Sequence, residues 1–131
     1  MNPPLVDWLM LLSMETAIAW CWWARRHLGR FWSANVTHKE GHRIIDTGPY
    51  RLVRHPMYAG MIVMYVGMAV ICTTPPALAA VPVMVLGLWL KGRVEERFLI
   101  EKVGALRYSE YQHRAPMLLP RLPRRDRQNN R

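Results

Sequence analysis

Lysine and arginine are confined to two stretches of this 131-residue chain, and this confinement limits the folds open to it. All 18 of them lie in residues 25–54 and 91–131, and residues 1–24 and 55–90 contain none. Long apolar segments between basic flanks are typical of membrane-crossing helices, with the basic flanks on the cytoplasmic side. We therefore predict a single-domain, all-α, multi-pass integral membrane protein of a plasma or inner membrane.

The formal net charge of +9 raises the question of a nucleic-acid partner. The basic residues flank apolar spans, however, and the sequence has no helix-turn-helix, zinc-finger or RNA-binding signature. We therefore assign this charge to the membrane surface, with membrane lipids as partners, and expect no nucleic acid. The arginine-rich residues 121–131 form a basic tail suited to the same lipid headgroups.

The first transmembrane helix is predicted within residues 1–24, from Leu5 to Ala24. About 20 apolar residues are enough to cross the hydrocarbon layer of a membrane. An aromatic belt marks the cytoplasmic end of this span and consists of Trp20, Trp22 and Trp23. Glu15 falls near mid-span, where an ionised carboxylate is costly, so we expect it to be protonated, to pair with another helix or to face a cavity.

Residues 25–54 are predicted to form a cytosolic connector that ends in a turn at Thr47-Gly48-Pro49. Two histidines four residues apart, His38 and His42, suggest zinc. No cysteine, third histidine or H-E-x-x-H arrangement supports such a site, so we expect no metal.

Residues 57–90 are predicted to form a transmembrane hairpin, because Thr73-Thr74-Pro75-Pro76 interrupts an apolar stretch. Paired prolines stop a helix, since they lack N–H donors and clash with the preceding turn. We expect helices from about Met57 to Cys72 and from about Ala77 to Leu90, which gives about three transmembrane helices in all. Small residues would allow these two helices to approach closely, with Gly60, Gly67 and Ala69 facing Ala79, Ala80 and Gly87.

Residues 91–120 are predicted to form a cytosolic helical region. A helical pattern starts at Lys91 and ends at Gly104, and a short helix follows around Tyr108–Arg114. Because the hairpin returns the chain to the cytoplasmic face, Arg54-His55 and Glu95-Glu96 meet there. A ring base, guanidiniums, phenols and carboxylates then share one interfacial site.

The order of these motifs resembles the isoprenylcysteine carboxyl methyltransferase family and the related phospholipid methyltransferases. The motifs are R-H-P-x-Y-x-G at residues 54–60, E-E-x-x-L at 95–99 and Y-x-x-Y-x-x-R-x-P at 108–116. The resemblance extends from about Trp23 to Leu122 and implies an S-adenosylmethionine cofactor held on the cytoplasmic side.

Site residues follow from the same resemblance. It implies cofactor contacts from His42, Arg43, Ile44, Ile45, Tyr50, His55, Pro56, Met57, Tyr58, Glu95 and Glu96. It places Arg54 and Arg114 near the reacting groups as catalytic residues, and Lys91 where relatives have an arginine suited to a substrate carboxylate.

The implied reaction is direct methyl transfer to a lipophilic acceptor, such as a prenylcysteine-like carboxylate, a lipid amine or a small hydrophobic molecule. Alignment does most of the work in such a transfer, and only an amine or phenol acceptor would need a base, with His55 or Glu96 as candidates. Typical family members carry further helices before the equivalent of Leu5, so we expect a homo-oligomer. Two alternatives stay open: a membrane scaffold with a vestigial cofactor pocket, and a membrane reductase using a nicotinamide cofactor.

Overall fold

The computed structural model describes residues 4–29 and 44–120. Within these ranges the chain is all-helical and contains no strand. The helices are α1 (Pro4–Leu28), α2 (Pro49–Leu52), α3 (Pro56–Cys72), α4 (Pro75–Val103) and α5 (Ala105–Arg114). His38, His42 and Arg43, most of the predicted connector and the basic tail lie outside the described residues.

Helix α1 is the predicted first span, and it continues past Ala24 to Leu28. Asp7 in its first turn and Arg25 and Arg26 in its last turn complement the helix dipole. The predicted turn then leads into α2, a single helical turn that begins at Pro49. Gly48 makes this turn possible, because its φ of 57° lies in the left-handed region and a Cβ there would strike the His27 ring.

Helices α3 and α4 form a hairpin, with Thr73 and Thr74 as its two-residue turn. Thr73 ends α3 in a left-handed conformation, and its N–H donates to the Ala69 carbonyl at 3.0 Å. Pro75 does more than stop the preceding helix. It is the first residue of α4, a position where its missing N–H costs nothing.

Helix α4 is longer than predicted. Instead of ending near Leu90 before a separate cytosolic helix, it runs unbroken for 29 residues to Val103. Gly92 is the only glycine at the predicted junction, and one helical glycine costs only about 1 kcal/mol relative to alanine. Gly104 ends the helix as predicted, with φ at 97°.

The prediction that small residues of α3 face those of α4 is wrong. A Cβ at Gly60 would strike the Cys21 sulfur of α1, and one at Gly67 would lie 2.7 Å from Met14 Cγ of α1. On α4, Ala79 and Ala80 are exposed and Gly87 has open space around it. The glycines of α3 therefore bring it close to α1, and α3 lies between α1 on one side and α4 on the other.

Among the described residues, two helices, α1 and α4, are long and apolar enough to cross a membrane. Helix α3 is apolar but has 17 residues, the lower end of the spanning range. Their large apolar side chains point outward, as Trp8 of α1 and Val83 of α4 illustrate with 70% and 69% exposure. A lipid environment accounts for such surfaces better than water does.

Helix α5 folds back on α4 and closes a small core at the polar end of the hairpin. Tyr108, Tyr111 and Ala115 form its buried cluster. Ile44, Leu99 and Ile100 pack around them. This core fixes the residues that follow α5 beside the start of α3.

Candidate functional site

The segment between α2 and α3 carries Arg54 and His55, and the chain after α5 holds its backbone in place. Pro56 begins α3, so the two residues before it are outside the helix and their N–H groups need other partners. Arg54 N–H donates to the Pro116 carbonyl at 2.8 Å, and His55 N–H donates to the Met117 carbonyl at 3.0 Å. Segments far apart in sequence are thereby locked together.

Glu96 of α4 is the centre of the site. Its side chain is only 4% exposed, and its Oε1 lies 3.1 Å from both His55 Nε2 and Arg54 Nη1. Gln112 of α5 donates from Nε2 to the other carboxylate oxygen at 3.4 Å. A buried carboxylate is tolerated when it is paired in this way.

Arg54 keeps unused donors inside this cluster. Its side chain is 12% exposed, and its Nε and Nη1 are buried without a well-aligned hydrogen-bond partner in the described part of the chain. The short Nη1 contact with Glu96 is therefore an ion pair whose N–H bonds point elsewhere. A buried guanidinium with free N–H groups suits an anionic ligand.

Glu95 and Tyr58 form the more accessible side of the site. Tyr58 donates its hydroxyl to Glu95 Oε1 at 2.6 Å. The Tyr58 ring stacks on the His55 ring with centroids 5.3 Å apart and planes within 5°. Lys91 Nζ lies 5.7 Å from the centroid of the Tyr58 ring, and Glu95 Oε2 lies 3.7 Å from His55 Nδ1.

Three tyrosines near the site are buried: Tyr50, Tyr108 and Tyr111. Tyr111 donates its hydroxyl to the Tyr50 carbonyl at 2.7 Å and so ties α5 to α2. Burial, with a further contribution from Glu95, raises the pKa of Tyr50 to about 12. Burial likewise raises the pKa of Tyr108 and of Tyr111, so these phenols remain neutral hydrogen-bond donors at physiological pH.

The structure brings six of the fourteen predicted site residues together. Arg54, His55, Tyr58, Lys91, Glu95 and Glu96 share contacts at one end of the hairpin. Pro56 and Met57 contribute carbonyls that face α1, where they accept from Trp20 Nε1 at 2.8 Å and from Cys21 Sγ at 3.6 Å. Tyr50 is buried.

Other predicted residues lie elsewhere. Arg114 does not reach the cluster, since its side chain is 65% exposed and its Nη1 lies 3.5 Å from Asp46 Oδ2. Ile44 packs in the tyrosine core, and Ile45 next to it is half-buried. No group of three or more potential metal ligands occurs among residues 4–29 and 44–120.

Sequence reasoning missed three contributors, Gln112, Pro116 and Met117. Gln112 carried a usable signal, because Tyr108, Tyr111, Gln112 and Ala115 follow the helical spacing of one face and the other three are buried. Met117 lies so close to α4 that a Cβ at Gly92 would be 2.6 Å from its Cε and 3.4 Å from His55 Nε2. Gly92 thus lets the chain after α5 approach the site.

Comparison with known proteins gives consistent matches. The model of the isoprenylcysteine carboxyl methyltransferase (ICMT) family matches residues 8–101. Protein-S-isoprenylcysteine O-methyltransferase B of Arabidopsis thaliana is 27% identical over 85 residues, which cover 65% of this chain and 43% of that protein. The cobalt-zinc-cadmium resistance protein CzcN of Cupriavidus metallidurans is 31% identical over 98 residues, which cover 72% of this chain and 44% of that protein.

The chain therefore spans less than half the length of these curated relatives. The stretch matched by the family model covers most of the chain and contains Arg54, His55, Tyr58, Glu95 and Glu96. This protein belongs to the isoprenylcysteine carboxyl methyltransferase family.

Proposed function

We propose that this protein transfers a methyl group from S-adenosylmethionine to a lipophilic acceptor at the cytoplasmic face of a membrane. The proposal rests on one observation: Arg54, His55 and Glu96 contact one another in a buried cluster. The more accessible Glu95 lies beside this cluster. The family supports the reaction type, since two of its relatives from Arabidopsis thaliana are named O-methyltransferases.

The cluster fits the charged groups of this cofactor. S-adenosylmethionine has a carboxylate, an ammonium and a ribose diol, and when bound it supplies an electrophilic methyl group on a sulfonium. Arg54 Nε and Nη1 donate no well-aligned hydrogen bond to the described residues, so they suit the carboxylate. Glu95, whose side chain is 28% exposed, suits the ammonium or the ribose hydroxyls.

The buried contacts of the cluster supply rigidity. Direct transfer of a methyl group depends on alignment of donor and acceptor, so a site gains from side chains that are held in one position. Glu96 fixes Arg54 and His55 from one side, and the backbone bonds to Pro116 and Met117 fix them from the other. This chain's contribution is a preorganised site that holds its ligands in fixed positions.

The acceptor that the geometry favours is a carboxylate. An amine or phenol must lose a proton, yet the two candidate bases, His55 and Glu96, are buried and engaged with each other. A carboxylate needs no base, and Lys91 at the exposed edge can attract it as a point charge. We therefore favour a lipidated substrate with a free carboxylate, of the prenylcysteine kind.

The proposed topology has α1, α3 and α4 as transmembrane helices and the site on the cytoplasmic side. Arg25 and Arg26 at the end of α1 and Lys91 and Arg93 on α4 mark that side by the positive-inside rule. The turn at Thr73 and Thr74 then lies on the opposite side of the membrane.

Methyl transfer can be tested on the purified full chain with S-adenosylmethionine labelled in its methyl group. The acceptors are S-farnesylcysteine with a free carboxylate, its methyl ester, and phosphatidylethanolamine. We expect label only in the free acid, released as volatile methanol by alkali, as required for a methyl ester. The Glu96→Gln variant should lose this activity, and Glu101→Gln, an exposed position on the same helix, should keep it.

Label in phosphatidylethanolamine but not in the free acid would contradict the proposed acceptor. Binding of S-adenosylhomocysteine without transfer to any acceptor would favour the scaffold alternative. Tight binding of a reduced nicotinamide cofactor in its place would favour the reductase.

A further inference from the structure

No other described residue covers one side of α1. Exposed residues along this side follow a seven-residue repeat. Exposed residues recur at steps of three and four along it: Leu5, Trp8, Leu12, Glu15, Ala19 and Trp22. We call this line the α1 seam. The opposite half of the helix, with Met14, Ala17 and Cys21, packs against the glycines of α3. Steps of three and four are those with which one helix packs along another.

Glu15 lies at the middle of the seam and at the middle of the predicted span. Its side chain is exposed and makes no hydrogen bond or ion pair with the described residues. A carboxyl group facing hydrocarbon is expensive, and in membrane helices such groups almost always face a partner or a water-filled cavity. The seam therefore has a polar group that α1, α3 and α4 leave unsatisfied.

We propose that the α1 seam binds a second copy of this chain in a parallel pair, with the two Glu15 carboxyl groups hydrogen-bonded to each other. Two copies inserted in one membrane have the same orientation, so a two-fold axis along the membrane normal sets each seam residue against its own counterpart. A protonated carboxyl group donates through its O–H and accepts through its C=O. Two such groups are self-complementary, and a second copy supplies the match without any other partner.

The neighbouring residues fit this arrangement. Ala19, one turn beyond Glu15, is small enough to let two helices approach closely. Leu12, with 65% exposure, lies almost one turn on the other side and can pack against its counterpart. The proposed dimer requires that α1 crosses the membrane, but it does not depend on the methyl-transfer reaction. Evidence against the dimer would therefore leave the proposed reaction intact, and evidence against the reaction would leave the dimer intact.

Cysteine cross-linking in membranes tests the seam directly. In a full chain with Cys21→Ala and Cys72→Ala, we expect Leu12→Cys and Ala19→Cys to form disulfide-linked dimers on mild oxidation. Val83→Cys on α4 is the matched control, because it is 69% exposed and lies outside the seam. Absence of seam dimers, cross-links to a different protein, or equal yields at position 83 would each overturn the proposal.

Substitution of Glu15 tests the hydrogen-bonded pair. The amide of Glu15→Gln is also self-complementary, so its dimer dissociation constant in lipid, measured by energy transfer, should stay within about twofold of wild type. Glu15→Leu removes the pair and should weaken the dimer by about threefold to thirtyfold. An undiminished Glu15→Leu dimer would overturn the pairing, and circular dichroism establishes that both variants keep their helices.

Discussion

Glu96 and Glu95 are adjacent in sequence but have different surroundings. Glu96 is buried and receives contacts from Arg54, His55 and Gln112. Glu95 is partly exposed, accepts from the Tyr58 hydroxyl, and lies with its other oxygen 3.7 Å from His55 Nδ1. The sequence motif E-E-x-x-L does not distinguish the two, because both positions lie in one helix, just after its apolar stretch. In the structure Glu96 contacts Arg54 and His55 in the interior, and Glu95 stays partly exposed.

Replacement of Glu96 should therefore lower stability as well as activity. In Glu96→Gln the buried Arg54 guanidinium loses its counter-charge, and breaking a buried pair costs about 3–5 kcal/mol. We expect a clearly lower thermal unfolding midpoint in detergent. Glu101→Gln on the exposed part of α4 should unfold like wild type. Equal midpoints for the two variants would show that the Glu96 contacts are not formed.

Tyr50 makes the free energy of unfolding of this protein depend on pH in the alkaline range. Its pKa rises from 10.0 to about 12 in the fold, so its contribution is fully present below pH 10 and is lost as the pH rises through about 12. The unfolding midpoint should fall over this window, and Tyr50→Phe should make the fall shallower by removing one titrating phenol. A Tyr50→Phe profile identical to that of wild type would contradict burial of this side chain.

At the scale of helices, the central contact is that between α3 and α1. Gly60 and Gly67 are buried against Cys21 and Met14, and the Trp20 indole donates to the Pro56 carbonyl at the start of α3. Side chains on α1 thus fill the space that the glycines leave. This packing holds the first residues of α3, and with them His55, at a fixed position relative to α1.

Alanine at Gly60 or Gly67 should destabilise the protein by about 1–3 kcal/mol, since a Cβ at either site falls on a neighbouring side chain. Gly87→Ala is the matched control, because a Cβ at that position would have nothing within 4 Å. It should be neutral or stabilising by up to about 1 kcal/mol through helix propensity. Thermal unfolding of the three variants decides the question, and a large loss at Gly87 would contradict the helix arrangement described.

The sequence predicted which segments are helical better than it predicted their partners. Runs without lysine or arginine and the paired prolines located α1, α3 and the start of α4 within a few residues. Small residues in two helices indicate that close packing is possible, but they do not identify the neighbouring helix. In this structure Gly60 and Gly67 pack on α1. The junction near Leu90 carries a change of polarity without a helix-breaking residue, so composition alone misplaced the end of α4.

At the scale of the molecule, the hairpin turn and the site lie at opposite ends of α3 and α4. Cys72 is exposed beside the turn, whereas Leu106 at the start of α5 is 85% exposed on the side of the site. In the proposed topology a membrane separates these two residues. Their accessibility to a membrane-impermeant thiol reagent therefore reports the topology.

With Cys21 replaced by alanine, Cys72 should react in intact cells from outside. A Leu106→Cys variant lacking both native cysteines should react only after the membrane is permeabilised. Reaction of both positions in intact cells, or of neither, would contradict the proposed topology with its cytoplasmic site.

The meeting of the R-H-P segment with Glu95 and Glu96 was predictable, because a hairpin must return the chain to the face it left. The hydrogen bonds that hold this segment could not be predicted. Pro116 and Met117 accept them through backbone carbonyls, which a side-chain motif does not indicate. Arg114 illustrates the opposite difficulty. Its place in a motif suggested a site role, yet it lies at the surface beside Asp46.

The most direct test of the central claim is binding of S-adenosylhomocysteine to the purified chain, measured by calorimetry. We expect one saturable site in wild type and in Glu101→Gln, and affinity at least about tenfold weaker in Glu96→Gln and in His55→Ala, a loss of about 1.4 kcal/mol or more. Absence of binding to folded wild-type protein, or equal affinity in all four proteins, would contradict the claim.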